Sequence, residues 1–165
     1  MIQKKICMVG AFATGKTSLV GRFVRSMYSE VYQSTVGVKI DKKTVKLEEQ
    51  GINLILWDIQ GEEDFQKHRL SYVRSLSGYL LAVDGTGSAT FEKALNIQHN
   101  VEQLVGKVPF ILILNKSDLT EEWEVDEHII DELRNQGWNI IKGSAKTGLG
   151  VEEAFLNLTK QIINK

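Results

Sequence analysis

The chain has almost nothing with which to brace itself covalently: among 165 residues there is one cysteine, Cys7, and one proline, Pro109. A single cysteine excludes an internal disulfide framework and points to a reducing, cytoplasmic setting. Cys7 stands in the apolar run Ile6-Cys7-Met8-Val9 and reads as a small buried hydrophobe rather than a reactive thiol. Charge of one sign is also missing, with 20 basic and 21 acidic residues and a formal net charge of −1 at pH 7. That balance leaves no electrostatic footprint for nucleic acid or an anionic membrane surface. His68, His99 and His128 are scattered without metal-ligand spacing. No apolar stretch is long enough to span a bilayer. Met1 to Lys5 carries no signal-peptide pattern, and Gln161 to Lys165 has no cysteine for a lipid. The expectation is a monomer without an intrinsic membrane anchor.

What is present is an ordinary globular composition, 42% hydrophobic and 25% charged, in which apolar runs alternate with helical patterns. Strands are expected at 4–9, 36–47, 52–58, 79–83, 110–114 and 138–141. Helices are expected at 16–26, 90–105, 126–135 and 151–163. Glu48-Glu49-Gln50-Gly51 separates the second and third strands as a hairpin turn. The polar stretch 62–77 reads as a loop and a helix with Leu70, Val73 and Leu76 inward, and Thr90 as a helix N-cap. Such alternation describes an α/β fold with a mostly parallel sheet covered by helices on both faces. No repeat or linker divides it.

Gly10-Ala11-Phe12-Ala13-Thr14-Gly15-Lys16-Thr17 is a full G-x-x-x-x-G-K-[ST] match, placed after a strand and opening a helix. Phosphate suits this arrangement because N–H groups at a helix N-terminus converge on an anion with the helix dipole behind them. Ala13, Thr14, Gly15, Lys16, Thr17 and Ser18 form the expected phosphate-binding set. Lys16 reaches the terminal phosphates and the Thr17 hydroxyl faces Mg²⁺.

Asn115-Lys116-Ser117-Asp118 follows the 110–114 strand, at the strand end where ligands of open α/β sheets bind. A carboxylate only accepts, so Asp118 is matched to the two N–H donors on the N1 and N2 edge of guanine. Adenine would leave it unpaired. Ser144-Ala145-Lys146 follows the next strand at a comparable place, where the small Ala145 would let its N–H reach the base oxygen.

On these motifs the chain resembles the Ras superfamily of small GTPases, and its Rab branch in particular, over essentially its whole length. Tyr32-Gln33-Ser34-Thr35-Val36-Gly37-Val38 is similar to switch I. Trp57-Asp58-Ile59-Gln60-Gly61-Glu62-Glu63 stands where the family has Trp-Asp-Thr-Ala-Gly-Gln-Glu. Tyr72 to Gly78 and Ser144-Ala145-Lys146-Thr147-Gly148 are also close to family patterns. The resemblance implies one small-GTPase domain over 1–165, a three-layer P-loop sandwich on about six strands, and GTP/GDP with Mg²⁺ as ligands. It implies Thr35 on Mg²⁺ and the γ-phosphate, Asp58 on a Mg²⁺-bound water, the Gly61 N–H on the γ-phosphate, and Tyr28 across the guanine face. Tyr28 reads equally well as a helix-end aromatic in the core. Effectors, exchange factors and GTPase-activating proteins are the implied partners, their identity unspecified.

The departures fall on hydrolysis. Glu62 occupies the position of the water-orienting Gln, where a carboxylate cannot donate an amide hydrogen bond and repels phosphate oxygens. Phe12 takes a P-loop position that is small in most relatives, and Gln60 replaces a small residue beside Gly61. With Lys16, Thr35, Gly61 and Glu62 as the catalytic set, the expectation is a slow GTPase switch. Glu62 as a general base, or Gln60 replacing the missing amide, are the opposite readings. A GTP-bound scaffold that never turns over, a P-loop kinase or ATPase, and the G domain of a larger Roc-type chain are the alternatives.

Overall fold

A computed structural model of the chain describes residues 2–24, 31–33, 38–59 and 70–164, with 31–33 described by backbone only. In chain order these are β1 (Ile2–Gly10), α1 (Lys16–Val24), β2 (Val31–Gln33), β3 (Val38–Leu47) and β4 (Gln50–Ile59), then β5 (Gly78–Asp84) and α2 (Ser88–Val105). There follow β6 (Phe110–Asn115), a 3₁₀ turn (Thr120–Glu122), α3 (Glu127–Asn135), β7 (Ile140–Lys142) and α4 (Val151–Ile163). The sheet order is β2-β3-β4-β1-β5-β6-β7. β1 runs parallel to β4 and β5, and β6 runs parallel to β5 and β7. β3 pairs antiparallel with β4, so the expected six-stranded, mostly parallel sheet is there. The three-residue β2 extends its antiparallel edge to a seventh strand.

The central strands are apolar where both faces are covered, through Ile6–Val9 in β1, Tyr79–Val83 in β5 and Ile111–Leu114 in β6. Ile6, Met8, Leu80, Ala82, Ile111 and Ile113 point to the face carrying α1 and α4, where they meet Leu19, Phe23, Phe155 and Leu158. Their neighbours Cys7, Val9, Leu81, Val83, Leu112 and Leu114 point the other way, onto Ala94, Ile97 and Val101 of α2 and Ile130 of α3. The two-residue strand period thus supplies two cores from one set of strands. Cys7 is fully buried with its thiol donating to the Tyr72 carbonyl, and burial pushes its pKa up to about 12.

Three local expectations are corrected. Leu70 is 65% exposed, while Tyr72 and Val73 are buried. At 3.6 residues per turn an inward arc centred between residues 72 and 73 leaves residue 70 about 110° away from it. α2 begins at Ser88 with Gly87 as its N-cap. Thr90 lies inside the first turn, where its hydroxyl accepts from Asp84 N and donates to the Gly87 carbonyl. The β3–β4 turn is confined to Glu48 and Glu49, both with positive φ (49° and 71°), and Gln50 and Gly51 already belong to β4. Register explains this: Leu47 pairs with Gln50, and a two-residue hairpin loop needs left-handed backbone at both central positions.

Candidate functional site

The parallel strands β1, β5, β6 and β7 end on the same edge of the sheet, at Gly10, Asp84, Asn115 and Lys142. Along this edge runs a cleft of about 970 Å³, bordered at one end by Gly15, Thr17 and Asp58 and at the other by Asp118, Ala145 and Lys146. Every site residue expected from the sequence and lying among the described residues borders this cleft, a smaller adjoining pocket, or the loops that wall them. Tyr28, Thr35, Gly61 and Glu62, with Gln60 and His68, lie outside the described residues.

The end at Gly15, Thr17 and Asp58 is made by a loop folded on its own backbone. Gly10 has φ +149°, and a Cβ there would stand 2.5 Å from the Ala82 carbonyl oxygen. Thr14 is fully buried and its hydroxyl donates to the Ala11 carbonyl at 2.9 Å. Lys16 is 5% exposed. Its ammonium donates to the carbonyls of Gly10 (3.2 Å) and Ala11 (2.8 Å) and to the Thr14 hydroxyl (3.5 Å). Those partners are neutral, so burial lowers the Lys16 pKa to about 8, against the through-space pull of Asp58. A desolvated cation at the mouth of a helix N-terminus is matched to an anion.

Beside it the Thr17 hydroxyl donates to Asp58 Oδ2 at 2.5 Å. Burial raises the Asp58 pKa, opposed by the Thr17 hydrogen bond and by Lys16 and Lys39, with Asp41 adding to the rise. A hydroxyl and a carboxylate side by side are hard oxygen donors of the kind Mg²⁺ takes. Phe12 is 79% exposed and borders an adjoining pocket of about 200 Å³ together with Lys16, Thr17 and Asp58.

The end at Asp118 is tied together by side chains. Asn115 donates to the Thr14 carbonyl at 2.9 Å and accepts from Ala145 N at 3.1 Å. It thereby joins the phosphate loop, β6 and the loop after β7. The Ala145 N–H, expected to point at a base oxygen, is held by Asn115. Asp118, which borders the cleft, accepts from the Ser144 hydroxyl at Oδ1, 2.7 Å away. Lys116 donates to the Ala13 carbonyl at 3.2 Å and to Asp84 Oδ2 at 2.8 Å.

Sequence reasoning missed two residues here. Asp84 carries no motif, although a lone acid ending an apolar strand on the ligand edge is a signal. Arg22, on α1, donates to the Lys146 carbonyl at 2.9 Å and lies 3.0 Å from where a Cβ on Gly148 would be. The Trp123 ring covers Gly85, where a Cβ would come within 1.9 Å of it. Among the described residues no group of three His, Cys, Asp or Glu is arranged to hold a metal ion, and no helix is long and apolar enough to cross a membrane.

A model of the Ras family matches residues 5–164. The chain is 35% identical to "Ras-related protein Rab-1" of Theileria parva over 164 residues, covering 98% of this chain and 74% of that protein. It is 32% identical to "Ras-related protein Rab-13" of Bos taurus, covering 98% and 80%, and 34% identical to "Ras-related protein Rab-8B" of Dictyostelium discoideum, covering 96% and 79%. A family model spanning nearly the whole chain, on a sheet and cleft of this construction, shows that the chain belongs to the Ras family as a Rab-like small GTPase.

Proposed function

We propose that this chain, acting as one G domain, binds GTP and GDP with Mg²⁺, hydrolyses GTP slowly and is read by effector proteins in the cytoplasm. One observation carries the reading: a single cleft has Gly15, Thr17 and Asp58 at one end and Asp118 at the other, with Lys16 in the adjoining pocket and Asn115 bonded to the loops of both ends. Lys16 and the N–H groups of Gly15, Thr17 and Ser18 would receive the phosphates, and Asp118 the N1 and N2 donors of guanine. Thr17 and Asp58, joined by Thr35, would hold Mg²⁺, which neutralises phosphate charge when bound. Thr35 and Gly61 would sense the γ-phosphate, and exchange factors and GTPase-activating proteins would set the balance of states.

The slow rate rests on Glu62 and Phe12. Glu62 supplies no amide donor, and losing one donor to a developing charge costs about 3 kcal/mol. The exposed ring of Phe12 stands beside Lys16 and Asp58, on the side from which water or a partner's arginine would approach.

Identifying the co-purified nucleotide tests binding, with GTP and ATP competing for a labelled guanine nucleotide. Guanine alone should be retained, and Asp118→Asn should shift preference to xanthine; equal competition by ATP would refute the reading. Single-turnover hydrolysis should fall at least several-fold below the ~4 × 10⁻⁴ s⁻¹ of intrinsic Ras turnover. Phe12→Gly with Glu62→Gln should speed it more than either change alone. No hydrolysis at all would favour the GTP-bound scaffold that the same two residues support.

A further inference from the structure

Asp84 touches neither the phosphate loop nor the cleft's base-recognition carboxylate, yet it is bonded at both oxygens. It ends β5 directly opposite Asn115 in the parallel ladder. Oδ1 accepts from Thr86 N at 2.9 Å and from the Thr86 hydroxyl at 2.6 Å. Oδ2 accepts from Lys116 at 2.8 Å, with the two side chains 15% and 35% exposed. The Gly85 N–H donates to the Asn115 carbonyl at 3.0 Å, so the β5 and β6 ends cannot drift apart.

Lys116 needs such a partner. Its backbone is left-handed, φ 67°, a conformation that costs a non-glycine residue about 1 kcal/mol or more. Its long side chain forfeits rotamer freedom to lie along the cleft. Two anchors fix that course: the Ala13 carbonyl, which is neutral, and the Asp84 carboxylate, which is charged. The charged one is the stronger.

We propose that Asp84 is a positioning residue: it holds Lys116 along the wall of the cleft between phosphate loop and base, and so lengthens the residence of the bound nucleotide. The inference rests on the guanine-nucleotide reading above. It is not a turn-capping role under another name, because the two are separable atom by atom. Asparagine keeps the volume and the Oδ1 acceptor for Thr86, but sets an amide NH₂ against the Lys116 ammonium.

The test is the dissociation rate of a fluorescent GDP, chased with excess GDP in Mg²⁺, with thermal melting recorded for each variant. Asp84→Asn should release nucleotide about fivefold faster, the size of effect a partly exposed, charge-assisted contact supports. Asp84→Glu, which restores a carboxylate, should recover most of that loss. In a Lys116→Met background, Asp84→Asn should add nothing. A wild-type rate for Asp84→Asn, or the same fivefold change in the Lys116→Met background, would overturn the proposal in favour of a purely structural turn. If Asp84→Asn does not fold, Lys116→Met alone must still speed release at an unchanged melting temperature, and its failure to do so counts against the proposal equally. Failure of the underlying reading is distinguishable, because wild type itself would then retain no fluorescent GDP.

Discussion

The two ends of the cleft are built by opposite means. At the Lys16 end a buried ammonium is hydrogen-bonded to backbone carbonyls and a hydroxyl, all neutral. At the Asp118 end, Asp118 has Ser144, Lys116 has Asp84, and Asn115 has Ala145 and Thr14. One end holds a buried charge hydrogen-bonded only to neutral groups, in a shape set by backbone, with Asp58 acting on it through space. The other holds paired side chains whose positions are fixed by one another. The first would suit strength and the second discrimination, since a positioned carboxylate is left unpaired by a base that brings no donors to it.

Lys16→Met should break this contrast most visibly. Affinity for GDP should fall at least a hundredfold, from loss of about 3 kcal/mol of charge-assisted contact. Stability of the nucleotide-free protein should hold steady or rise, because a desolvated cation is removed. Titration of nucleotide-free wild type checks the same point. The folded chain releases the Lys16 proton near 8 rather than at 10.5. Between those values unfolding takes up a proton, so stability should increase as pH rises from about 8 toward 10.5 and level off above. The increase should vanish in Lys16→Met. A destabilised Lys16→Met protein would mean that the carbonyls satisfy the ammonium and the two ends are alike.

Gly15→Ala attacks the joint between the ends. Its φ is +94° and a Cβ would stand 2.2 Å from Asn115 Nδ2, so the Asn115 amide must leave its place. The expected cost is about 2–4 kcal/mol in unfolding experiments, with affinity reduced tens-fold. Ser144→Ala is the gentlest change. It frees Asp118 to rotate, and should cost about 1 kcal/mol in GDP binding while narrowing guanine preference over inosine. A Ser144→Ala protein with unaltered base preference would show that Asp118 is positioned by something other than its serine.

The contrast also explains what the sequence made legible. Gly10 to Thr17 and Asn115 to Asp118 are contiguous, and contiguous chemistry is visible in a string of letters. Buried strands were equally plain, since Phe110 to Leu114 and Tyr79 to Val83 are apolar without interruption. The partnership of Asp84 with Lys116 joins residues 32 positions apart and could be found only once β5 and β6 were seen side by side. Leu70 failed for a different reason: a helical stripe was fitted to three residues, when the buried arc follows Tyr72 and Val73. The Glu48–Glu49 turn ran against local preference, since glycine or asparagine is the usual occupant of left-handed backbone, and strand register overrode it.

That register reaches further than the hairpin. β3 and β4 are matched rung by rung, from Leu47 opposite Gln50 to Val38 opposite Ile59, with Asp58 on the penultimate rung opposite Lys39. The ladder spans about 30 Å at roughly 3.4 Å per residue. Asp58 itself is held in register by β1, where it stands opposite Met8. Side chains in a strand have parity, so a slip of one rung between β3 and β4 would turn Lys39 to the opposite face and away from Asp58. The two glutamates at the far tip therefore act as an indexing device: the count of residues in a surface turn decides, a whole strand's length away, which β3 side chain stands beside the carboxylate.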